Sequence, residues 1–337
     1  MERKRGMMKL DLFKKIVRQI KEDALTDTVN FHLMGEPTLH PDIIEAAVFA
    51  KQNGLKVSLT TNGSLISPET VEKLIAIELD QILFSAQTPT EESFDLRQVK
   101  MDFNRYKNNI SECIAAALDK NGKTQIVLAF LTTPLKMLMP THQMQTISNK
   151  KDMVDCFEYW MDGILDKCDK AGAAKKLIEN RKILTQGLSS MKLLGWNNLR
   201  VTEHFSLETR ILGDWVHASL TAEKFTPAKF GSCKGLTEYM GIHWNGDMVY
   251  CCVDYEGKTN FGNVNTTRIK EAFNKKYVQS CLNGFKKYQV KHAYCQRCLG
   301  DVTPANSYAR QVGSIAYFMW YRKFWDKQRA EEKVLFS

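Results

Sequence analysis

The sequence predicts an α/β fold built on a parallel sheet, with a small cysteine-rich module after it. Helical and strand patterns alternate over residues 1–135, the strands are short and apolar, and a spaced set of four cysteines lies within residues 233–298. Short buried strands that alternate with helices are typical of a parallel sheet, arranged as a barrel or as a doubly wound sheet. A chain of 337 residues is long enough for one large domain or two moderate ones.

The hydrophobic period and the turn residues define the elements in order. Apolar residues between Leu12 and Ile20 follow a helical period, so a first helix precedes the first strand. Asn53-Gly54 ends the second helix. Ser67 starts the third, because serine caps a helix and the proline after it suits the first helical position. The last predicted strand is expected to close the sheet. The predicted strands are 29–34, 56–61, 79–85, 124–131 and 199–207, and the predicted helices include 41–52, 91–118 and 149–168.

Polar residues collect where the predicted strands end. The carboxyl ends of parallel strands meet at one edge of a sheet, and ligands bind at this edge. A glutamate, a Thr-x-Asn triplet and a serine at three successive strand ends therefore predict one shared ligand site. The alternative is that Gly-Glu-Pro and Asn-Gly are only turns, since both consist of turn formers. The residues concerned are Gly35, Glu36, Thr60, Thr61, Asn62 and Ser85.

Four cysteines, Cys233, Cys251, Cys295 and Cys298, are spaced as two halves of one metal site. The two-residue gap in the second pair lets both thiolates of a turn face one metal centre. An Asn-Gly hairpin signal inside the first pair brings its two cysteines within reach of each other. Four thiolates suit tetrahedral zinc or a cubane iron–sulfur cluster, and the spacing does not choose between them.

The other cysteines have separate interpretations. Cys252 adjoins Cys251 and competes with it for the ligand role, and Cys281 fits either a core or a functional thiol. No secretory leader precedes the chain, so we expect free thiols and a cytoplasmic location rather than disulfides. A module this small has little core of its own, so a metal would hold it together. Three further cysteines lie on apolar helical faces and are expected to be core thiols: Cys113, Cys156 and Cys168.

The composition limits the classes of function. Hydrophobic residues make up 44% of the chain and charged residues 25%, which are ordinary values for a globular protein. No apolar run could span a bilayer, so an integral membrane protein is not expected. A net charge of +9 implies attraction to an acidic partner, but no basic run with interleaved aromatics predicts nucleic-acid binding. The aromatic tail at 315–325 is expected to dock on the fold, with a membrane-surface helix as the alternative.

The strand-end motifs resemble those of the radical S-adenosylmethionine (SAM) superfamily. Residues 34–37 (Met-Gly-Glu-Pro) resemble its GGEP element and residues 60–63 (Thr-Thr-Asn-Gly) its next strand end. Ser85 falls where the family often has a ribose contact. The four-cysteine set with Gly246 is similar to the SPASM/Twitch extension, and closer to Twitch, which holds one auxiliary [4Fe–4S] cluster. The resemblance covers about residues 6–131 and 233–301.

The resemblance implies a fold, a cofactor and a reaction. The fold would be a partial (β/α)6 TIM-like barrel that lacks its first strand, with the iron–sulfur module at its open end. The intact enzyme would cleave SAM reductively to a 5′-deoxyadenosyl radical and abstract hydrogen from a peptide or a small polar substrate. The Gly-Glu-Pro motif would bind the methionine amino group of SAM, and the next two strand ends would line its ribose. The residues implied are Gly35, Glu36, Pro37, Thr60, Asn62 and Ser85.

The resemblance also implies partners and domains. The auxiliary cluster would accept an electron from the substrate radical or anchor the substrate. An acidic flavodoxin or ferredoxin would suit the basic chain as reductant. The predicted domains are a barrel at 1–225 with a helical insertion at 135–198, an iron–sulfur module at 226–305, and a helical tail at 306–337. The implied cluster ligands are Cys233, Cys251, Cys295 and Cys298.

The sequence departs from the family in one respect. The defining C-x3-C-x2-C loop is absent, because no cysteine precedes Cys113. We therefore expect a chain that is shortened at its N-terminus and inactive in radical generation. A start codon placed too far downstream would explain this, and a degenerate paralogue is the alternative. The rival hypotheses on function are a non-catalytic zinc or iron–sulfur protein, and a degenerate partner that presents substrate to an intact enzyme.

Overall fold

The computed structural model describes residues 3–33, 35–95, 101–120, 122–133, 146–168, 174–181, 197–211 and 222–321. The chain forms two compact units. The sheet unit is Thr26–Gly213, and the cysteine unit combines Met1–Leu25 with Asp214–Ser337. The domain boundaries near residues 225 and 305 remain predictions from the sequence, whereas the packing joins the first residues of the chain to its C-terminal part.

The sheet unit is built on six strands. They are β1 (Thr28–Phe31), β2 (Lys56–Thr61), β3 (Gln81–Gln87), β4 (Gln125–Thr132), β5 (Asn197–Arg200) and β6 (Phe205–Ile211). Their order in the sheet is β1-β2-β3-β4-β6-β5. All neighbours are parallel except β5, which is antiparallel to β6. This mostly parallel sheet confirms the predicted α/β fold class.

The first six helices include the one predicted from the hydrophobic period of residues 12–20. They are α1 (Leu10–Glu22), α2 (Ile43–Gln52), α3 (Pro68–Ala76), α4 (Glu91–Asp95), α5 (Phe103–Lys120) and α6 (Lys150–Leu165). The predicted serine cap is confirmed, because the Ser67 hydroxyl accepts the Thr70 amide at 3.2 Å. The predicted helix at 91–118 is instead two helices, α4 and α5, and residues 96–100 between them lie outside the described ranges.

One predicted strand is wrong. Residues 199–207 were expected to form a single closing strand, and they belong instead to the antiparallel pair β5 and β6. The backbone amides of Val201 and Thr202 both donate to the Phe205 carbonyl, at 2.8 and 3.0 Å, so the chain reverses within a few residues. Because this turn lacks glycine and proline, its apolar and β-branched residues look like the middle of one strand.

The two faces of the sheet differ. On one face Phe130 packs against Trp160 of α6, with ring centroids 5.3 Å apart. Leu83, Val127 and Ala129 form a small buried cluster on the opposite face, which we call the inner face. Residues two apart in a strand lie on the same face of the sheet, and so do the register partners of neighbouring parallel strands. The residues of the inner face can therefore be followed to the ends of the strands.

In its described residues the cysteine unit contains a small sheet and, besides α1, four helices. The strands β7 (Gly241–Ile242), β8 (Asp247–Val249) and β9 (Gly262–Asn263) are antiparallel. The turn between β7 and β8 is the predicted Asn-Gly hairpin, where Gly246 has a φ of +91° that favours glycine. The helices are α7 (Ile269–Phe273), α8 (Lys276–Lys286), α9 (Ala293–Leu299) and α10 (Pro304–Ala316).

The N-terminal residues are part of the cysteine unit. The buried Gln19 side-chain oxygen in α1 accepts the backbone amide of Ile269, where α7 begins, at 2.9 Å. Arg268 forms ion pairs with Glu22 and Asp23, at 2.9 and 3.0 Å. Local sequence patterns carry no information about this pairing, because its partners are about 250 residues apart.

A π-helical turn, Tyr317–Tyr321, follows α10. The rest of the predicted docking tail, residues 322–325, lies outside the described ranges, so its docking remains a prediction. None of the described helices has the length and hydropathy that crossing a membrane requires.

Candidate functional site

The carboxylate of Glu36 joins the ends of the first two strands. Its Oε1 accepts from the Thr38 amide at 3.1 Å, the Thr38 hydroxyl at 2.7 Å and the Thr61 hydroxyl at 2.8 Å. Its Oε2 accepts from the Asn62 amide at 2.7 Å. Glu36 also caps the short 3-10 turn Pro37–Leu39. The acidic side chain that the sequence picked out is therefore held rigidly at the carboxyl edge of the sheet.

Gly35 precedes this carboxylate with a φ of +121°, a conformation that L side chains rarely adopt. Apart from its chain neighbours, no atom of the described residues lies within 4 Å of where its β-carbon would be, so backbone conformation rather than crowding calls for glycine there. The structure therefore brings Gly35, Glu36, Pro37 and the backbone of Asn62 together. Met34, the first residue of the motif, lies outside the described residues.

The side chain of Asn62 serves the turn it belongs to. Its Oδ1 accepts from the Ser64 amide at 2.8 Å and from the Ser64 hydroxyl at 2.5 Å. The Asn62 carbonyl accepts from the buried Tyr106 hydroxyl of α5 at 2.8 Å. The Asn62 side chain therefore stabilises its own turn, as the alternative interpretation of Asn-Gly as a turn predicted. Its backbone amide binds Glu36. No motif in the sequence marks Tyr106, which occupies an ordinary apolar-face position of a helix.

Thr60 and Ser85 lie on the inner face of the sheet. Thr60 is the register partner of Leu83, and Ser85 that of Ala129. Thr61, one residue on, faces the other way and bonds Glu36. The predicted set is therefore divided, with the Gly-Glu-Pro turn and Asn62 in one hydrogen-bonded group and the two hydroxyls beside it on the inner face.

An ion pair on the inner face was missed by the sequence analysis. Arg210 donates through Nε and Nη2 to Glu208, at 3.2 and 2.9 Å, and Asn198 donates to the other Glu208 oxygen at 2.9 Å. The Glu208 side chain is only 7% exposed. The alternation of Ser206, Glu208 and Arg210 was a usable signal, but the predicted strand ended at residue 207.

The four spaced cysteines come from three segments of the cysteine unit. Cys233 lies in a loop, Cys251 follows β8, and the last two are in α9. The Gly235 amide donates to the Cys233 sulfur at 3.4 Å. A β-carbon at Gly235 would lie 2.7 Å from the Cys251 Cβ and 3.6 Å from the Cys233 sulfur. The missing side chain of Gly235 is therefore what allows the first two cysteines to approach each other.

Apolar packing brings the third segment to the same place. Ala228, Phe285 and Val290 form a buried cluster, and both Cys233 and Cys295 pack against it. The structure thus gathers all the sequence-predicted metal ligands in one half-buried region of one unit.

Burial and mutual repulsion control the protonation of these thiols. Burial raises the pKa of Cys251 and of Cys298 to about 12, and raises that of Cys295 well above its ordinary value. The pKa of Cys295 is raised further by the negative charges that Cys233, Cys251 and Cys298 would carry. All four sulfurs are therefore within electrostatic range of one another. Thiols of this kind lose their protons when a metal supplies the compensating positive charge.

The donor set fits an iron–sulfur cluster. Over the described ranges, no group of three or more histidine, cysteine or acidic side chains is close enough to hold a single metal ion. A cubane spreads its iron corners over a larger volume than one ion, so four thiols at wider spacing can still bind it.

Two further contacts surround the four cysteines. The Cys252 sulfur lies 3.8 Å from the Tyr239 hydroxyl, and the Arg310 guanidinium donates to the Cys298 carbonyl at 3.2 Å.

Comparison with known proteins matches two stretches of the chain. A family model described as the radical SAM superfamily matches residues 1–136, and one for SPASM, described as an iron–sulfur cluster-binding domain, matches residues 233–299. The second match contains the four-cysteine region, and the first contains the strand-end group around Glu36.

Individual relatives share parts of the chain. A putative glycyl-radical enzyme activating enzyme of Methanocaldococcus jannaschii is 29% identical over 161 residues, which are 47% of this chain and 61% of the relative. The AdoMet-dependent heme synthase of Methanosarcina barkeri is 41% identical over 61 residues, 18% of each chain. The chain spans less than two thirds of the length of both curated relatives.

The solved structure of anSMEcpe with bound AdoMet has a similar fold. Its TM-score is 0.50 at 13% identity, and the match covers 95% of this chain and 90% of that one. At this identity the likeness extends to the fold alone.

Proposed function

The chain belongs to the radical SAM superfamily and carries a C-terminal SPASM domain, and from this we propose a function in SAM-dependent radical chemistry. The reaction would be reductive cleavage of SAM followed by hydrogen abstraction from a peptide or a small polar substrate. The observation that supports this proposal most is the convergence of four half-buried cysteines from three segments in the region of the SPASM match.

The proposed SAM site uses the strand-end residues. Glu36 Oε1 accepts three hydrogen bonds, but Oε2 accepts only one within the described part of the chain. Since each carboxylate oxygen can accept at least two hydrogen bonds, Oε2 is left to accept from the methionine ammonium of SAM. The positive φ of Gly35 turns the backbone beside this oxygen. Pro37 fixes the turn that follows, and Asn62 holds the carboxylate through its amide.

Thr60 and Ser85 would take the ribose. Both hydroxyls lie on the inner face near the carboxyl ends of neighbouring strands, and hydroxyl groups can donate to and accept from sugar hydroxyls. The Arg210–Glu208 pair lies on the same face, because Glu208 is the register partner of the inner-face residue Ala129, and Arg210 is that of Leu131, two residues further along the strand. It would present fixed charges to a polar substrate.

SAM and an iron–sulfur cluster, when bound, would supply the radical chemistry, and the chain would bind, orient and shield them from water. The nine cysteines of this sequence include no C-x3-C-x2-C set. No residue of this sequence is therefore assigned to the cluster that reduces SAM, and no step is derived through it. Cys233, Cys251, Cys295 and Cys298 are assigned to an auxiliary [4Fe–4S] cluster.

The proposed partner is a small acidic electron carrier, a flavodoxin or a ferredoxin, because the chain carries a net charge of +9. We place the protein in the cytoplasm, whose reducing conditions suit the free cysteines.

The first test is the metal content of the protein purified without oxygen and loaded with iron and sulfide. We expect about four iron and about four sulfide per chain. Cys298→Ser should lose most of this iron, while the control Cys168→Ser, at the end of α6 in the other unit, should retain it. Zinc without sulfide would overturn the cluster assignment and favour the zinc-protein hypothesis.

The second test is SAM binding, measured by calorimetry. Thr60→Ala should weaken SAM binding about tenfold, which is the expected loss of one hydrogen bond to a polar ligand. The matched control is Ser58→Ala, since Ser58 is on the same face of the same strand but one pleat farther from the carboxyl edge. Equal effects of the two variants, or no SAM binding by the unchanged chain, would contradict the proposed cofactor site.

A further inference from the structure

Helix α8 is amphipathic, with two faces of different character. Its buried face carries Val278, Cys281, Leu282 and Phe285. Its exposed side chains recur at helical spacing on the opposite face, at Lys276, Tyr277, Ser280, Asn283 and Lys286, with Lys287 directly after the helix. A helix with this pattern packs one side on a core and turns the other to solvent.

The buried face of α8 lies against the cysteine centre. Phe285 belongs to the apolar cluster on which Cys233 and Cys295 pack. Cys281 is close enough to Cys295 to raise the pKa of that thiol. One layer of side chains therefore separates the helix from two of the proposed cluster ligands.

The exposed face of α8 belongs to a basic surface. Residues 270–291 contain six lysines and a single acidic residue, Glu271. Lys276, Lys286 and Lys287 are exposed, and no ion pair within the described ranges includes them. Lys291 is held over the same face, because its Nζ donates to the Ser280 hydroxyl at 3.1 Å and its stem packs on Gly284. We call Lys276, Lys286, Lys287 and Lys291 the α8 lysine surface.

The distance across the helix is short. An α-helix with its side chains is about 10 Å in diameter. A protein docked on the α8 lysine surface would therefore have its own redox centre separated from the cysteine centre by little more than one helix. Charge steering toward such a surface raises association rates by about 10- to 1,000-fold at low ionic strength.

We propose that the α8 lysine surface is the docking site of a small acidic flavin-containing electron carrier that exchanges electrons with the cysteine centre. This inference rests on the proposed auxiliary cluster. One electron passes per encounter, so the carrier flavin is oxidised by one electron as the cluster is reduced by one. No bond to a cysteine forms or breaks. An acidic carrier fits because the surface has unpaired positive charge, and this helix fits because its opposite face lies on the proposed ligands.

The test compares two double variants of the full chain. Lys276→Glu with Lys287→Glu reverses two charges on the α8 lysine surface. The control, Lys4→Glu with Lys9→Glu, makes the same change in net charge at two exposed lysines of the same unit. Circular dichroism and iron content of each variant establish that it is folded and loaded.

Two measurements are made with a small acidic flavodoxin as the probe. The first is binding of the oxidised flavodoxin, followed by fluorescence anisotropy. The second is the stopped-flow rate at which the reduced flavodoxin reduces the cluster, with dithionite as the small-molecule comparison. The surface variant should bind at least tenfold more weakly, react at least tenfold more slowly at low salt, and show a flatter salt dependence. Its rate with dithionite should not change, and the control should stay within about twofold of the unchanged protein.

Equal losses in the two double variants would overturn the docking site. A second result would also overturn it: the surface variant binds a single-stranded oligonucleotide less well than the unchanged chain, but both double variants bind flavodoxin as well as the unchanged chain does. The α8 lysine surface would then bind nucleic acid. If the chain holds no iron and sulfide, the cluster proposal fails, but the anisotropy measurement still decides whether the acidic carrier docks on α8.

Discussion

At the scale of single residues, Glu36 is the side chain on which the strand-end site depends. It is only partly exposed and accepts four hydrogen bonds from two segments of the chain. In Glu36→Gln an amide NH2 group replaces one carboxylate oxygen. If it replaces Oε2, it faces the Asn62 amide, and if it replaces Oε1, it faces the Thr38 amide and two threonine hydroxyls, so one donor faces another in either orientation. Hydrogen bonds to charged groups contribute about 1.5–3 kcal/mol each. We expect the free energy of unfolding to fall by about 2 kcal/mol, measured by urea titration.

The matched control is Glu203→Gln, because the Glu203 side chain is 85% exposed. Substitutions at such positions change stability by less than about 0.5 kcal/mol. If Glu36→Gln were as stable as this control, the hydrogen bonds at Glu36 would not hold the two strand ends together.

The half-buried thiols give the metal-free protein a defined pH dependence. Burial raises the pKa of Cys251 and Cys298 to about 12, whereas the thiols of an unfolded chain titrate near about 8.5. The folded state therefore holds these protons more tightly. Their contribution to stability is fully present below about pH 8.5 and is lost as the pH rises toward about 12. Unfolding titrations between about pH 8 and pH 10.5 should show the metal-free protein losing stability.

Two comparisons check the origin of this dependence. The double variant Cys251→Ser with Cys298→Ser should have a flatter profile, because serine hydroxyls do not titrate in this range. The loaded protein should also have a flatter profile, because metal-bound sulfurs carry no proton. An unchanged slope in the double variant would mean that other groups cause the loss of stability.

The residues show what could be predicted at this scale. The sequence identified Glu36, Thr60, Asn62 and Ser85, because strand ends with polar side chains are visible in a hydrophobic pattern. It did not reveal that the Asn62 side chain bonds Ser64, or that Thr61 completes the Glu36 group. Hydrogen-bond partners depend on where two separate loops meet, and a linear pattern does not contain that information.

At the scale of elements, the turn at Gly235 controls how the cysteine segments meet. A β-carbon there would lie 2.7 Å from the Cys251 Cβ and 3.3 Å from the Tyr250 carbonyl, closer than real contacts allow. We expect Gly235→Ala to push the Cys233 loop away from the end of β8 and to lower the iron content of the loaded protein by more than half. Iron and sulfide analysis measures this directly.

The control for this substitution is Gly313→Ala in α10. Outside the backbone of its own helix and its chain neighbours, no described atom lies within 4 Å of the added β-carbon at Gly313. Alanine in a helix interior is about 1 kcal/mol more favourable than glycine. This variant should keep its iron and should unfold at a slightly higher urea concentration. Retention of iron by both variants would contradict the role assigned to Gly235.

The elements also separate strong signals from weak ones. The Asn-Gly hairpin was predictable, because only a few residue pairs suit the positive φ of its turn, and Gly246 has that conformation. The β5–β6 hairpin was not, because its turn at 201–204 (Val-Thr-Glu-His) has no residue that marks a reversal. Turn chemistry can be read in a sequence when glycine or proline supplies it, and is hidden when tertiary packing imposes the turn.

At the scale of the whole molecule, the chain runs from the cysteine unit into the sheet unit and back. The mostly parallel sheet and the cysteine module were both predictable from local patterns. That α1 belongs with the C-terminal part was not, since it depends on contacts such as Gln19 with Ile269, which are 250 residues apart.

Gln19 provides a test of this organisation. Gln19→Leu removes the acceptor of a buried backbone amide, and an unsatisfied buried donor costs about 1–3 kcal/mol. We expect a matching fall in the free energy of unfolding of the cysteine unit, followed through the absorbance of the bound cluster. The control is Lys21→Ala, at an exposed position of the same helix, and it should change stability by less than about 0.5 kcal/mol. Equal stabilities would mean that α1 is not needed by the cysteine unit.

The pairing of α1 with α7 also has a consequence for biosynthesis. On the ribosome, α1 emerges early, but the helix it packs on is translated about 250 residues later. The intervening sheet unit can fold as it emerges, since domains generally fold as units during translation. The cysteines that would hold a cluster cannot gather around Gly235 until α9 has also left the exit tunnel. Delivery of iron and sulfide would therefore be a late maturation step, carried out on a chain whose larger part is already folded.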